Sequence, residues 1–234
     1  MDDHNYAEML RHTMTDLTRS AAQPTDIGVT LRGVTAACVE LIPSADSADI
    51  LMVTSSDRFE SLAPTSTLPS SLDDLQRELW EGPCLSAAVG GGIVRCDDLR
   101  DEPRFPHFAT SAVAAGVHSM LSFRLITHDD RAAALNVVGL TPHCFGPEDE
   151  ALGAMFATHA ALALIADNRQ MQFESALASR DLIGQAKGHI MERFSVDAVR
   201  AFELLRQLSQ DSNTRLTEVA AQIVAHGSDP KQRR

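Results

Sequence analysis

Residues 179–227 read SRDLIGQAKGHIMERFSVDAVRAFELLRQLSQDSNTRLTEVAAQIVAHG, three helical patterns joined by short breaks. In the first, Leu182, Ile183, Ala186, Ile190 and Met191 recur at the spacing of one apolar helix face. Ser195 follows as a candidate N-cap, its hydroxyl suited to an unpaired first-turn amide. The second pattern expects Ala198, Ala201, Phe202, Leu205 and Leu208 to be buried. Asp211, Ser212, Asn213 and Thr214 form a turn cluster. The third helix carries Leu216, Val219, Ala220, Ile223 and Val224 on one side, and Gly227 suits the left-handed position that ends a helix. Spacing alone describes a small all-α bundle, with Ile183, Phe202, Leu205, Leu216 and Ala220 in its core.

The residues themselves add a resemblance. Ser179-Arg180, Ile183 to Gly188, Met191-Glu192-Arg193, Ala201-Phe202, Leu205-Arg206, Ser209-Gln210 and Asn213 fall in register with the ANTAR domain of bacterial transcription antitermination regulators. The resemblance covers roughly the last quarter of the chain. It implies a three-helix module that binds paired hairpins in nascent RNA as a dimer and so prevents a terminator from forming.

The distribution of charge agrees with an output confined to the C-terminus. The 234 residues carry a net charge of −12. From Ala176 to Arg234 there are nine Lys/Arg against seven Asp/Glu, net +2, so the preceding part holds −14. An acidic body with a mildly basic tail fits nucleic-acid contact by the tail, or an ordinary helix surface. With 44% hydrophobic residues the chain can bury a core, and its length suits one or two domains. The sequence shows no apolar run approaching the ~20 residues of a membrane span. The start, MDDHNYAEML, lacks the basic-then-apolar pattern of a signal peptide. These features lead us to expect a cytoplasmic protein without membrane contact. Cys38, Cys84, Cys96 and Cys144 lack the CxxC spacing of zinc or redox sites and are expected as buried thiols.

Upstream, residues 1–22 and 26–42 read as amphipathic helices separated by a break at Gln23-Pro24-Thr25. In the second, Ile27, Leu31, Val34, Cys38 and Leu41 are in phase. SADILMVTS at 47–55 reads as a buried strand, and 59–64 as its hairpin partner after a turn at Ser56-Asp57. Ser70 or Ser71 is expected to cap a helix running to Trp80, and a short helix follows over 84–89. The spacing then predicts a strand at 93–96, an acidic loop at 97–103 and a helix at 105–115 ended by Gly116. Strands at 118–126 and 132–140 flank a turn at Thr127-His128-Asp129-Asp130, and Pro147 opens another helix. This order implies an antiparallel sheet with packed helices, an α+β fold.

It also resembles a GAF domain, the small-molecule sensor fold of many bacterial regulators. EGPCLSA at 81–87, RCDDLRDEPRFPHF at 95–108, AAGVHSMLSFRL at 114–125, ALNVVGL at 134–140 and FGPEDEALGAMFATHAALAL at 145–164 carry that resemblance. The expected organisation is an N-terminal helix (1–25), a GAF-like sensor (26–165), a coiled-coil-like helical linker (166–178), an ANTAR RNA-binding module (179–227) and a tail (228–234). Leu152, Met155/Phe156, Leu162, Ile165/Ala166, Phe173, Leu177, Ile183 and Ile190 are spaced roughly in heptads across the join. We therefore expect a near-continuous helix pairing with its twin in a parallel homodimer, or two helices with a bend between them. His159, Arg169 and Arg180 interrupt the seam.

No catalytic signature stands out, and neither a catalytic residue, a metal site nor a particular cofactor is expected. Gly90-Gly91-Gly92 lacks the Lys-Ser/Thr of a phosphate loop and suits a tight turn. His107 reads as a helix-start residue or a pocket lining. His143-Cys144 lacks further ligands nearby, and Asp97, Asp98 and Asp101 read as a solvated loop or a cation site. For RNA, Arg180, Lys187 and Arg193 suit phosphates, and Gln185 a base edge. Gly188 with Gly184 allows close approach, and Arg206, Gln210, Asn213 and Arg215 extend the same surface near the last turn. The aromatic platform of other RNA-binding folds is absent, and a DNA-reading helix-turn-helix is the natural competitor for three short helices. Two further readings stand beside the signal-responsive antiterminator with its small-molecule ligand. One is a thiol reductase using Cys84 and Cys96; the other is a protein-binding dimeric scaffold.

Overall fold

The computed structural model describes residues 3–22, 26–54, 58–90, 92–125 and 131–227. In chain order, α1 (Asp3–Ala22) and α2 (Ile27–Leu41) lead into β1 (Ser47–Val53) and β2 (Phe59–Leu62). Then come α3 (Thr67–Leu79), α4 (Pro83–Gly90), β3 (Ile93–Cys96) and α5 (Pro106–Ala114). β4 (Ser119–Leu125), β5 (Ala132–Gly139), α6 (Pro147–Phe194), α7 (Ala198–Asp211) and α8 (Leu216–Gly227) complete the chain. It divides into two compact units, Met1–Asn168 and Arg169–Arg234. The first 22 residues of α6 belong to the first unit and the remainder to the second.

In the first unit the strands form one antiparallel sheet in the order β2-β1-β5-β4-β3. β1, β4 and β5 are apolar on both sides because both faces of the sheet are covered. Ile50, Leu121, Phe123, Leu135 and Val137 face a core shared with Leu31, Val34 and Leu41 of α2 and Phe156 and Ala160 of α6. Leu51, Met120, Ala134 and Val138 face the opposite core, closed by Leu72 of α3, Cys84 and Ala87 of α4, and Phe108 and Ala112 of α5. Asp26 caps α2 through the Gly28 amide. The Tyr6 hydroxyl donates to the Leu41 carbonyl at 2.9 Å, tying α1 to the end of α2.

The α+β architecture, the hairpin and the helix starting at Pro147 agree with the sequence reading, and Gly116 ends α5 with φ +89°. Four details differ. α3 begins after Ser66 rather than at Ser70 or Ser71, because Pro69 sits in its first turn, where no amide is needed. The acidic loop holds a 3₁₀ turn, Leu99–Asp101, capped by the Asp98 side chain. Ser195 is not an N-cap: it takes φ +51°, and Asp197 caps α7 by accepting from the Arg200 amide at 2.8 Å. α6 is long and apolar enough to cross a membrane by length and composition, which no run in the sequence suggested. Its residues Phe156, Ala157, Ala160 and Ala163 are buried within the first unit, as in a core helix. The expected breaks at Gln23-Pro24-Thr25, Ser56-Asp57 and 127–130, residue Gly91 and the tail 228–234 lie outside the described residues.

Candidate nucleic-acid interface and a buried polar cluster

Ala186 and Ile190 of α6, Ala201 and Leu205 of α7, and Val219 and Ala220 of α8 form the core of the second unit. Leu182, Ile183, Leu216, Ile223 and Val224 pack around it. Ala201 and Leu205 lie four residues apart on one stripe of α7. Phe202, one residue on, is rotated by about 100° and leaves that stripe. It is 39% exposed, so its expected core role is corrected, as it is for Ala198, Leu208 and Met191.

The displaced ring lines a groove of about 430 Å³ with Lys187, Ala198, Val199, Glu203 and Arg206. The Lys187 ammonium lies 5.9 Å from the Phe202 centroid, the geometry of a cation over an aromatic face. Glu203 is engaged by Arg200 at 3.0 Å. Arg180, Lys187, Arg193, Arg206 and Arg215 have no ion-pair partner among the described residues. Arg180 and Lys187, seven apart, share one face of α6, while Phe202, Arg206 and Gln210 run at i, i+4, i+8 along α7.

The other candidates divide. Gln185 is exposed but two residues from Lys187, and residues i and i+2 do not face each other on a helix. Arg193 sits in the last turn of α6, where a cation also complements the helix dipole. Asn213 is exposed with φ +49°, a left-handed position in the α7–α8 turn that asparagine tolerates better than most residues. That turn is closed by Ser209 Oγ donating to the Thr214 carbonyl at 2.6 Å. Arg215 opens α8, its carbonyl accepting from the Glu218 and Val219 amides. Gly184 and Gly188 are exposed, and a methyl group built on either would meet nothing within 4 Å.

The first unit holds a second feature, on the sheet face covered by α3, α4 and α5. Asp49 of β1 pairs in register with Asn136 of β5, and Asn136 with Ser122 of β4, so three polar side chains cross the middle of an apolar sheet. Asn136 Nδ2 donates to Asp49 Oδ1 and Ser61 Oγ to Asp49 Oδ2, both at 3.0 Å. From α3, Asp73 lies within hydrogen-bond reach of Asp49. Asp49 is 1%, Asp73 4% and Asn136 1% exposed. Burial, and then the neighbouring Asp49 charge, raise the Asp73 carboxyl far above the usual carboxylate range; burial likewise raises Asp49. Asp73 Oδ2 and Asn136 Oδ1 are buried without a partner. Sequence reading passed over these residues. The available signal was a lone carboxylate or amide inside an apolar strand, SADILMV and AALNVVG.

The motifs around this cluster hold the fold together. Gln76 Oε1 accepts from the Cys84 and Leu85 amides at 2.9 and 3.2 Å, capping α4 from inside the core. Glu81 Oε1 accepts from the His107 and Phe108 amides at 2.7 and 2.9 Å, capping α5, so His107 is a helix-start residue. In the acidic loop Asp98 holds Arg100, Glu102 holds Arg104 and Asp97 holds Arg95. No cluster of three or more His, Cys, Asp or Glu suited to a metal occurs among the described residues. Cys84 and Cys96 are buried, and desolvation foremost pushes both thiols well above their ordinary range.

The family model for the GAF domain matches residues 24–165, and that for the ANTAR domain residues 171–224. Among solved structures, the chain is similar to the GAF domain of a phosphoenolpyruvate-protein phosphotransferase from Coxiella burnetii. That likeness has 20% identity and a TM-score of 0.52, over 74% of this chain and 99% of the other. It is similar to the corresponding GAF domain from Acinetobacter at 14% identity and a TM-score of 0.53, over 70% and 94%. A free methionine-R-sulfoxide reductase from Neisseria meningitidis matches at 15% identity and a TM-score of 0.50, over 68% and 90%. At such identities the likeness shows the fold alone. A search of curated proteins finds no match.

Proposed function

The chain belongs to the GAF domain family and carries an ANTAR domain at its C-terminal end, and on that premise we propose that it is a signal-responsive regulator binding hairpins in leader RNA to prevent termination. The observation that carries the reading is the groove of Lys187, Phe202 and Arg206: two cations without ion-pair partners flank an exposed aromatic face. Unpaired loop bases stack on such faces while their phosphates meet the cations, so a hairpin loop suits this surface better than a regular duplex. Arg180 extends the phosphate track along α6, and Gln210, Asn213 and Arg215 extend the polar edge toward α8.

The protein acts as a homodimer in this proposal. Phe173 and Leu177 are 61% and 41% exposed at i, i+4 on α6, and Met191 continues the same face. Gly184 and Gly188 lie on that face with open space above them. Glycine in a helix costs about 1 kcal/mol relative to alanine, and close approach of a partner helix offsets it. Two modules on two hairpins gain avidity that one module lacks. The GAF domain binds a small ligand and biases that pairing, in the cytoplasm where transcripts are made. A reductase role for Cys84 and Cys96 has less support, because thiol chemistry needs the thiolate that burial disfavours here.

The test is binding of a two-hairpin leader RNA by the full-length protein and by the Lys187→Ala/Arg206→Ala variant, at stated salt. Selective binding of paired hairpins, lost in the variant, supports the reading. Failure of the unmodified protein to bind any such RNA at low salt overturns it and favours the scaffold.

A further inference from the structure

On the sheet face that packs against α2 and α6, the first unit holds a groove of about 240 Å³. That is the room of about eight liquid waters, so it suits a molecule of roughly ten non-hydrogen atoms. Its lining follows from the periods of the elements around it. Gly28 and Arg32 lie one turn apart on α2, and Leu164 and Asp167 share a face of α6 at i, i+3. Met52 and Leu62 stand on one face of the β1–β2 pair, since Leu62 lies opposite Ile50. Leu31, Met52, Leu62 and Leu164 make most of this surface apolar.

Two charged side chains interrupt the apolar lining, Arg32 from α2 and Asp167 from α6. Neither has an ion-pair partner among the described residues. The Arg32 guanidinium folds back over Gly28, where a methyl group built on the glycine would stand 3.1 Å from its Nη1. Asp26, 3.3 Å from the same point, is taken up as the cap of α2 by the Gly28 amide at 2.9 Å. Arg131 also lines the groove, which therefore carries two arginines against one aspartate. An occupant dries these charges, and a dried charge is costly unless the occupant brings its complement. A purely apolar molecule answers neither Arg32 nor Asp167. A simple carboxylate answers Arg32 and sets a like charge near Asp167, and a simple amine does the reverse. A zwitterion with a short apolar body answers both and covers the apolar lining.

We propose that this groove binds a free α-amino acid with an apolar side chain. Its carboxylate meets the Arg32 guanidinium, its ammonium meets Asp167, and its side chain lies against Leu31, Met52, Leu62 and Leu164. The proposal deepens the ligand-sensing reading of the GAF domain and rests on it, but is independent of RNA binding. The site lies on the face of the sheet away from α3, α4 and α5. Asp167 is one residue from the end of the first unit, on a helix that continues into the second. The ligand therefore acts on α6 at the place where the sensor ends.

The experiment is isothermal titration calorimetry of the full-length protein with L-leucine, L-methionine and L-phenylalanine. Isocaproate, which lacks the ammonium, and isoamylamine, which lacks the carboxylate, are the controls. At least one of the amino acids binds saturably, and the controls bind roughly 10- to 150-fold more weakly, the loss of one charge-assisted contact. Arg32→Gln and Asp167→Asn each weaken amino-acid binding by a similar factor, with circular dichroism unchanged. Absence of saturable binding by all three amino acids, equal binding of either control, or unaltered binding by either variant overturns the proposal. Nucleotides and neutral sugars titrated alongside separate this site from the sensor reading itself. Saturable binding of one of these in place of the amino acids overturns the proposal and keeps a sensor. Silence from every compound overturns the proposal and counts against the sensor as well.

Discussion

The Lys187 ammonium stands 5.9 Å from the centre of the Phe202 ring, so a residue of α6 and one of α7 build a single charged aromatic surface. Phe202 belongs to this surface, whereas its neighbour Ala201 is fully buried. The distinction leads to opposite outcomes for adjacent positions. Phe202→Leu is expected to weaken hairpin binding roughly 5- to 150-fold, from the ~1–3 kcal/mol of base stacking, with the unfolding midpoint nearly unchanged. Leu205→Ala, at a fully buried position, should cost about 2–5 kcal/mol of stability in denaturant unfolding. Lys187→Gln should lower the slope of log affinity against log salt by about 1.

The exposed apolar face of α6 predicts an effect on assembly rather than folding. Phe173→Glu combined with Leu177→Lys is expected to give a folded monomer by light scattering, because neither side chain is buried within the chain. Circular dichroism should be unchanged. A variant that stays dimeric would place the interface elsewhere.

Gln76 caps α4 with a fully buried side chain, so its loss is costly. Gln76→Leu leaves the Cys84 and Leu85 amides without their acceptor. The expected destabilisation is about 2–5 kcal/mol, measured by urea unfolding. Gly82→Ala should act in the same direction, since Gly82 has φ +147° and an added methyl would collide with the Gln76 side chain.

The Asp73 carboxyl makes stability depend on pH in an uncommon direction. Burial foremost, then the Asp49 charge, with a smaller push from Asp74, raise its folded-state pKa above the unfolded value of about 3.9. The folded state therefore holds a proton that the unfolded state releases. This contribution is complete below about pH 4 and is lost as pH rises toward the raised value, by at most about 1.4 kcal/mol per pH unit. Asp98 acts oppositely, held low by its hydrogen bonds to Arg100, and its contribution is lost only as pH falls below about 4. Urea unfolding at pH 5 and pH 8 should show the protein less stable at pH 8, and Asp73→Asn should reduce that difference.

Much of the architecture was legible along the chain because its causes are local. The apolar runs of β1, β4 and β5, the proline opening α6 and the glycine ending α5 act within a few residues of themselves. The cations of the second unit were legible for the same reason, since each is a surface residue named by its own side chain. That Gln185 and Lys187 leave α6 on different faces is less evident in the motif they share, because neighbours two apart on a helix do not face each other.

The sequence by itself determined the order of elements, the α+β and all-α halves, and the basic character of the C-terminal module. Backbone periodicity and composition suffice for each. The tertiary structure alone decided that Phe202 and not Ala201 lines a groove, since either position satisfies an apolar spacing until α6 and α8 are packed against α7. It alone brought Asp49 to Asn136, 87 residues away, through strand register. It also set Asp73 over them from a helix. Those meetings depend on which strands pair and which helix covers them, and neither is encoded in any short stretch.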